Sequence, residues 1–287
     1  MPVADGRVLG FAEFGDPAGR PCFWFHGTPG ARRQVAPAAR EAAERLGVRV
    51  IGVERPGMGL STPHRYRRIA DFADDIAVMA RRLGLDRFAA VGLSGGGPYT
   101  LACAARMPKQ MAGVAVLGGV SPTVGPEAGP AGVLGAAKKW NALLDRTELP
   151  TAWVLGGVVR SLIPFRNQAY DLFRGAMPPG DQRVFDTPGV REMFMDDILR
   201  GLETGGMRAA LRDTILFGRD WGFRLAEIEV PVMWWHGDED SIVTLEQGRH
   251  AASLIPTATF QLRPGDSHLS GYAASEDVIA AVAGFFA

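Results

Sequence analysis

The stretch Phe88-Ala-Ala-Val-Gly-Leu-Ser94-Gly-Gly96 runs from an apolar segment into a helical pattern, and it contains the only Gly-x-Ser-x-Gly of the chain. The apolar segment 88–93 predicts a buried strand, and the pattern over 96–107 predicts a helix. Between the two the chain must turn sharply, which forces Ser94 into a strained backbone conformation. We therefore expect Ser94 Oγ to stand above a sheet, at the amino end of a helix, as a candidate nucleophile.

Three glycines surround this serine in the sequence. Gly92, Gly95 and Gly96 carry no side chains that would collide across so sharp a turn. A strand followed by this glycine pattern and then by a helix is the context in which a Gly-x-Ser-x-Gly serves catalysis. The pattern therefore predicts a nucleophile at the carboxyl end of a strand.

Short apolar runs alternate with helical patterns through the first third of the chain. This alternation is typical of crossover units in a parallel sheet. It stops near residue 121 and resumes near residue 229. The sequence therefore predicts an α/β fold with a mostly parallel central sheet flanked by helices. Strands are expected at 8–14 (an edge hairpin strand), 22–26, 48–53, 88–93, 113–117, 230–235 and 259–262, and helices at 34–46, 69–83, 96–107 and 275–286.

The stretch from 122 to 228 has no segment with the pattern of a strand. It consists of helical patterns broken by prolines, and it is rich in aromatic residues. We interpret it as a helical insertion into the sheet domain. The predicted organisation is a core formed by residues 1–121 and 229–287, with the insertion at 122–228.

Composition narrows the class of protein. The chain has 287 residues, 47% of them apolar, and its 31 Lys+Arg are balanced by 31 Asp+Glu. Zero net charge argues against a nucleic-acid binder or a protein held on an anionic membrane, since both depend on a basic surface. No apolar stretch reaches the roughly 20 residues that a membrane span needs, and the amino terminus lacks a signal-peptide pattern. We expect a cytoplasmic globular protein with no membrane span, and the sequence leaves its oligomeric state open.

The two cysteines, Cys22 and Cys103, lie in apolar segments and are expected to be reduced and buried. A chain of this length buries about 75% of its unfolded surface, so it needs neither a disulfide nor a metal to hold its core. No Cys-x-x-Cys or Cys/His cluster indicates a metal site, and we expect no cofactor.

A serine hydroxyl is a poor nucleophile at neutral pH and needs a general base, for which five histidines compete. His268 lies in Pro264-Gly-Asp-Ser-His268, between the last predicted strand and the terminal helix, where a loop can hang over the serine. We predict that His268 is the base. Structural interpretations suit the others better: His64 in a solvated Arg-rich loop, His236 at the end of a buried strand, and His250 on a helix.

The base in turn needs an acid to orient it. The loop after the strand 230–235 offers three carboxylates within Gly237-Asp-Glu-Asp-Ser-Ile-Val243. Asp240 stands just before the chain re-enters apolar packing, so backbone groups can hold it and aim it at an imidazole N–H. We predict Asp240 as the acid, with Asp238 as its competitor and Glu239 as a turn residue.

Two backbone N–H groups are needed to hold the negative charge that develops on the reacting carbonyl oxygen. Gly95, directly after the nucleophile, supplies one. The loop that follows the strand 22–26 begins His26-Gly27-Thr28, and we assign the second N–H to Thr28. His26 is then expected to fix this loop by hydrogen bonds rather than to take protons.

Five motifs now stand in order along essentially the whole chain. They are His26-Gly-Thr-Pro-Gly30, Arg55-Pro-Gly-Met-Gly-Leu-Ser61, Gly92-Leu-Ser-Gly-Gly96, Gly237-Asp-Glu-Asp240 and Asp266-Ser-His268. This set resembles the α/β-hydrolase superfamily, and it is most similar to the branch with a helical cap inserted after the sixth strand, which includes many carboxylesterases. The order of nucleophile, acid and base is also that of the superfamily. One departure is Glu54, where the family usually carries Asp, and we expect it to adjust loop packing without touching the chemistry.

The resemblance implies acyl transfer to water, with hydrolysis of a small carboxylic ester or thioester as the first interpretation. Dehalogenases and epoxide hydrolases of this superfamily use an Asp nucleophile, whereas position 94 is Ser. Carbon–carbon bond hydrolase, cofactor-free perhydrolase and proline iminopeptidase stay as alternatives, although the elbow does not match the peptidase pattern Gly-Gly-Ser-Trp-Gly. A ligand-binding receptor on a hydrolase frame is the alternative outside enzymes.

The insertion is expected to lie over the carboxyl edge of the sheet, because open α/β sheets bind their ligands there. In that place it would act as a lid that shields the acyl-enzyme from water. Its aromatic residues, such as Trp153 and Phe173, are expected to select among acyl groups.

Overall fold

A seven-stranded sheet forms the centre of the computed structural model, which describes residues 1–130, 141–201 and 207–287. The strands are β1 (Phe11–Gly15), β2 (Arg20–Phe25), β3 (Val48–Val53), β4 (Phe88–Leu93), β5 (Met111–Leu117), β6 (Val232–Gly237) and β7 (Ala258–Arg263). Across the sheet they are ordered β1-β3-β2-β4-β5-β6-β7. Among the described strands, only β1 runs antiparallel to its neighbour, and all other pairs are parallel. The predicted α/β fold with a mostly parallel sheet is therefore confirmed.

Most strands agree closely with the sequence prediction. The bounds of β3 and β4 match at both ends, and those of β2, β5, β6 and β7 differ by at most two residues. The strand predicted over 8–14 does lie at the edge of the sheet, but it is shorter, and Val8 forms an isolated antiparallel bridge with Pro2 instead. β1 begins at Phe11, which pairs with Val53 of β3. A hairpin with β2 is excluded because β2 already has parallel partners on both sides, β3 and β4.

Helices cover both faces of the sheet, as a parallel sheet requires. They are α1 (Pro37–Arg45), α2 (Asp71–Arg82), α3 (Gly97–Arg106), α10 (Leu245–Ser253), α11 (Ser270–Ala273) and α12 (Ser275–Gly284). Side chains alternate along a strand, so Trp24 packs with α1 and α12 while Phe25 packs with α2 and α3 on the other face. Cys22 and Cys103 are buried in these two layers and form no disulfide, as expected.

The chain between β5 and β6 is helical in all of its described elements. They are α4 (Asn141–Arg146), α5 (Glu148–Leu162), α6 (Arg166–Ala176), α7 (Pro179–Phe185), α8 (Val190–Gly201) and α9 (Met207–Phe217). The described residues between 122 and 228 contain no strand. The helical segment follows the fifth strand of the described sheet, where the resemblance implied the sixth, because one strand fewer precedes it here. Its limits at 122 and 228 stay a prediction.

Two helices of this segment pack directly on loops at the carboxyl edge of the sheet. A Cβ atom on Gly180 of α7 would lie 2.6 Å from Ser267 N, in the loop before α11. A Cβ atom on Gly201 of α8 would lie 3.4 Å from Gly30 O, in the loop after β2. Helices in this position close the edge at which the strands end. Among the described helices, none is long and apolar enough to cross a membrane.

Glu54 occupies a space that two glycines leave open. Its side chain is fully buried, pairs with Arg32, and accepts the N–H of Leu60 at 2.7 Å. A Cβ atom on Gly10 or Gly59 would overlap its carboxylate. Burial raises the pKa of Glu54, although the Leu60 N–H and Arg32 act in the opposite direction. The longer side chain that departs from the family pattern is therefore accommodated by loop packing.

Gly10→Ala tests this packing. The added methyl group meets the Glu54 carboxylate, so we expect the free energy of unfolding to fall by about 1–3 kcal/mol, as for other overpacked cores. In a Glu54→Asp background the same methyl group has more room and should cost clearly less. Urea unfolding of the unaltered protein, of each single variant and of the double variant measures the coupling free energy between positions 10 and 54.

Gly156→Ala on α5 is the matched control, because its Cβ atom would meet nothing within 4 Å. We expect that variant to unfold at an unchanged or slightly higher urea concentration. Equal effects of Gly10→Ala in both backgrounds would show that the contact with Glu54 does not limit the packing.

Candidate active site

Ser94 lies at the turn between β4 and α3, in a single 3-10 turn. Its φ of 51° is in the left-handed region that residues other than glycine rarely adopt. A Cβ atom on Gly92 would lie 2.5 Å from Gly96 O, and one on Gly96 would overlap Phe25 O. The turn can close because both positions lack a side chain, and it brings Ser94 against the loop after β2.

His268 stands between Ser94 and Asp240. Ser94 Oγ lies 2.8 Å from His268 Nε2, and His268 Nδ1 lies 2.8 Å from Asp240 Oδ2. Since a carboxylate only accepts, Nδ1 carries the proton and Nε2 accepts from the serine hydroxyl. The structure therefore brings together the predicted nucleophile, base and acid in a continuous hydrogen-bonded chain.

The backbone holds the other oxygen of Asp240. Asp240 Oδ1 accepts the N–H groups of Ile242 and Val243, both at 2.9 Å, and its side chain is fully buried. Asp238 is exposed instead and accepts the N–H of Gly265 at 2.7 Å. Of the two competing acids, Asp240 is the one in contact with the imidazole.

The charge state of His268 reflects two opposing influences. Burial lowers the pKa of His268, but the hydrogen bond and charge of Asp240, together with the charge of Asp181, outweigh it. The pKa of His268 therefore lies above its ordinary value. Its neutral form, which can accept a proton, becomes dominant only as the pH rises through that pKa.

His236 is a further neighbour of Asp240 that the sequence analysis did not anticipate. His236 Nε2 lies 2.8 Å from Val243 O and 3.4 Å from Asp240 Oδ2. Burial lowers the pKa of His236, although Asp240 raises it. The ring is therefore a neutral support beside the acid. His250 lies apart, with Nε2 3.1 Å from Glu127 O.

His64 is less solvated than its Arg-rich sequence context predicts. Its ring is half-buried against Tyr66, with ring centroids 5.0 Å apart. Within the described ranges, no group of three or more His, Cys, Asp or Glu residues could hold a metal ion.

Hydrogen bonds fix the loop after β2. His26 Nδ1 lies 2.7 Å from Gly27 O, and His26 Nε2 accepts the N–H of Arg55 at 3.3 Å. Burial and the charge of Arg55 hold the pKa of His26 well below its ordinary value, so the ring stays neutral. The N–H of Gly27 donates to Gln34 Oε1 at 2.6 Å.

The two proposed oxyanion donors lie on adjacent pieces of backbone. A Cβ atom on Gly95 would overlap Thr28 Oγ1, and one on Gly27 would lie 3.6 Å from Ser94 Cβ. Neither the Gly95 nor the Thr28 N–H donates to another residue in the part of the chain that the structure describes. The role of these two N–H groups as oxyanion donors stays a prediction.

A buried ion pair that the sequence does not mark as functional stands behind this loop. Arg55 is 2% exposed, and its Nη2 lies 2.7 Å from Asp213 Oδ2. The same guanidinium donates to His26 O at 2.6 Å and to Gly27 O at 2.9 Å. Arg55 opens a motif, but Asp213 follows it by 158 positions, inside a helical pattern that carries no local signal.

A cavity of about 140 Å³ opens over Ser94. The loops of the sheet contribute Thr28 and His268 to its lining, and α7 contributes Phe185 and Asp181. The walls are otherwise mostly apolar. A ligand in this cavity would contact the serine hydroxyl, the imidazole and the Thr28 loop together.

A second cavity of about 260 Å³ lies within the helical segment, between α5, α6 and α8. Apart from Arg166, its lining is apolar or aromatic. Pro29, Phe173 and Phe194 line both cavities. The two phenyl rings are stacked with centroids 5.8 Å apart, and both rings border each of the two spaces.

Comparisons with known proteins agree with this architecture. A bifunctional esterase/perhydrolase from Acinetobacter calcoaceticus is 30% identical over 229 residues, which cover 77% of this chain and 75% of that protein. A non-heme haloperoxidase from Rhodococcus erythropolis is 28% identical over 276 residues, which cover 93% and 92%.

Solved structures show the same fold. A thermophilic esterase from Thermogutta terrifontis superposes with a TM-score of 0.66 at 21% identity, covering 99% of this chain and 94% of that one. The family model described as alpha/beta hydrolase fold matches residues 23–272, nearly the whole chain. The chain therefore belongs to the α/β-hydrolase fold family.

Proposed function

We propose that the protein is a serine hydrolase that cleaves a small carboxylic ester or thioester through an acyl-enzyme on Ser94. The observation that carries this proposal is the hydrogen-bonded chain from Ser94 through His268 to Asp240, with both links 2.8 Å long. Ser94 and His268 line a cavity of about 140 Å³. An apolar cavity of about 150 Å³ takes a benzene-sized group, so a short acyl group fits here.

In the first half-reaction Ser94 Oγ attacks the substrate carbonyl carbon while its proton passes to His268 Nε2. Negative charge develops on the carbonyl oxygen, where the N–H groups of Gly95 and Thr28 would stabilise it. The tetrahedral intermediate then releases the alcohol or thiol, which takes the proton from His268. Asp240 stabilises the imidazolium while it carries that proton.

In the second half-reaction a water molecule attacks the acyl carbon. His268 Nε2 takes a proton from this water, and the same two N–H groups stabilise the second tetrahedral intermediate. Ser94 then leaves with the proton from His268, and the carboxylic acid is released. One water is consumed, and the protein returns to its starting state.

An ester suits the cavity better than a peptide with a free amine, which needs carboxylates facing the ligand. Asp181 is the carboxylate among the described lining residues. It is 1% exposed, and its Oδ1 already accepts the N–H of Leu269 at 2.8 Å. This arrangement counts against the proline iminopeptidase alternative.

A second candidate activity is transfer of the acyl group to hydrogen peroxide instead of water. The same acyl-enzyme would then release a peroxy acid. The relatives named a bifunctional esterase/perhydrolase and a non-heme haloperoxidase favour this alternative. Assay of peroxy acid from an ester and hydrogen peroxide, beside assay of the free acid, decides between the two acceptors.

Ser94→Ala tests the nucleophile. We expect saturable hydrolysis of a short p-nitrophenyl ester by the unaltered protein, and a loss of about 10⁴-fold or more in kcat in the variant. A fluorophosphonate should label one residue, which peptide mapping identifies as Ser94. Active protein labelled elsewhere would overturn the assignment, and ester binding without turnover would favour the receptor alternative.

Asp240→Asn tests the acid and the charge state of the base. An amide favours the imidazole tautomer that cannot accept the serine proton, so we expect kcat to fall by about 10⁴-fold. In the unaltered protein kcat/KM should rise with pH through the raised pKa of His268, because catalysis needs the neutral ring. Asp240→Asn removes the carboxylate charge that raises the pKa of His268, so in this variant the midpoint of the pH profile of the residual activity should move to lower pH.

Asp238→Asn is the matched control for this prediction, since it neutralises a carboxylate in the same loop. We expect its kcat and pH profile to stay close to those of the unaltered protein. A larger loss in Asp238→Asn than in Asp240→Asn would move the role of acid to Asp238.

Phe173→Ala tests whether the second cavity takes part of the substrate. Phe173 lines both cavities, so its removal should join them and favour longer acyl chains. Across p-nitrophenyl esters of increasing chain length, we expect the ratio of kcat/KM for long over short chains to rise about tenfold.

Trp153→Ala removes an aromatic residue of the same segment that is 82% exposed and lines neither cavity. The expectation that Trp153 selects acyl groups is thus not supported by its position. In Trp153→Ala, the dependence of kcat/KM on acyl chain length should match that of the unaltered protein. Identical profiles for both variants would place the selectivity in the loops of the sheet.

A further inference from the structure

Three carboxylates of the helical segment reach beyond their own helices to bind loops of the sheet domain. They are Asp181 on α7, Asp197 on α8 and Asp213 on α9, and each is at most 5% exposed. A carboxylate loses its hydration when it is buried, so it persists there only with several donors around it. The partners of these three therefore indicate what the segment holds in place.

Two of them bind backbone N–H groups. Asp181 accepts from Leu269, the residue directly after His268, at 2.8 Å. Asp197 accepts from Ala31 at 2.7 Å and from Arg33 at 2.8 Å, in the continuation of the loop after β2. Burial raises the pKa of Asp197 to about 7, although both N–H groups lower it.

Asp213 binds side chains from three separate elements. Its Oδ2 accepts from Arg55 Nε at 2.8 Å and from Thr28 Oγ1 at 3.0 Å. Its Oδ1 accepts from the hydroxyl of Tyr99 on α3 at 2.8 Å. Arg55 Nη2 also donates to Thr28 Oγ1 at 2.8 Å, so that hydroxyl is fixed from both sides.

The consequence for the backbone of Thr28 follows from peptide geometry. Arg55 Nη2 donates to Gly27 O at 2.9 Å. The C=O of Gly27 and the N–H of Thr28 belong to one planar trans peptide, in which they point in opposite directions. A carbonyl held towards Arg55 therefore fixes the direction of the Thr28 N–H, in a loop whose Thr28 side chain lies against Gly95.

We propose that Asp213 is a positioning residue for the reaction. It holds the Arg55 guanidinium, and the guanidinium in turn sets the peptide plane that aims the Thr28 N–H at the substrate oxygen. The inference rests on the proposed function in one respect, the use of this N–H as an oxyanion donor. It also makes the helical segment, which these three buried carboxylates bind to loops of the sheet domain, a fixed part of the site rather than a lid that swings freely.

Asp213→Asn is the direct test, with kinetics and inhibitor binding as readouts. A misaimed donor should cost less than a missing one, for which losses are about 10²- to 10³-fold. We expect kcat to fall about 10- to 100-fold with KM nearly unchanged. Affinity for a boronic acid, which forms a charged tetrahedral adduct with Ser94, should fall by the same factor as kcat.

Asp186→Asn is the matched control, because it breaks an Arg–Asp pair that lies wholly on the surface of the helical segment, with Arg174. We expect its kcat and boronic acid affinity to stay unchanged. A similar loss in both variants would mean that any ion pair of the segment matters, and the proposal would be overturned.

The double variant Arg55→Met with Asp213→Leu separates positioning from stability. An apolar pair of similar volume often restores the stability that breaking a buried ion pair removes. We expect its melting temperature to return towards that of the unaltered protein while kcat stays low. Recovery of kcat together with stability would overturn the proposal, because the pair would then be merely structural.

Hydrogen exchange measured by mass spectrometry gives a readout that does not need activity. Asp213→Asn should speed exchange in peptides that cover residues 26–35, and Asp186→Asn should not. Failure of the proposed function would appear as an unaltered protein with neither ester turnover nor boronic acid binding. Failure of the positioning role would appear as unchanged exchange in Asp213→Asn, whatever the activity.

Discussion

The close approach of two parallel strands at their carboxyl ends is the constraint on which the site depends. Phe25 of β2 pairs with Gly92 of β4, and the backbone of Gly96 then packs on Phe25 O with no room for a Cβ atom. Because β2 and β4 end at the same level, the loop after β2 meets the turn after β4. Strand register therefore brings Thr28 to Gly95.

Much of the site could be predicted because each key residue is held by close sequence neighbours. The strained turn at Ser94 can close because of the glycines beside it, and Asp240 is fixed by the N–H groups of Ile242 and Val243, two and three residues on. The strands β3 and β4 were predicted to the residue, since buried parallel strands form continuous apolar runs. Local pattern suffices where the determining contacts are local.

The predictions that failed depend on contacts between distant parts of the chain. Nothing near Phe11 in the sequence indicates that β3, rather than the next strand, pairs with it. The orientation of α5 was equally hidden, because its apolar residues lie on most of its sides. Ala152 faces Leu211 in the core of the helical segment, and Trp153, about 100° further around the helix, faces outward.

The site contains two buried pairs of an aspartate and a basic side chain, Asp240 with His268 and Asp213 with Arg55. They differ in whether the basic side chain can lose a proton. Asp240 raises the pKa of His268, and an imidazole can both take and return a proton, as the proposed reaction requires. A guanidinium, the group that Asp213 binds on Arg55, does not exchange protons in proteins. Burial of a permanent charge costs free energy of desolvation. In the proposed role, the Arg55 guanidinium offsets this cost by holding its hydrogen-bond acceptors in fixed positions. The Arg55 guanidinium binds the Asp213 carboxylate and also donates to the two carbonyls His26 O and Gly27 O, so it links the helical segment to the loop after β2. In the proposed mechanism one aspartate, Asp240, therefore supports proton transfer, while the other, Asp213, holds the loop after β2 in place through Arg55.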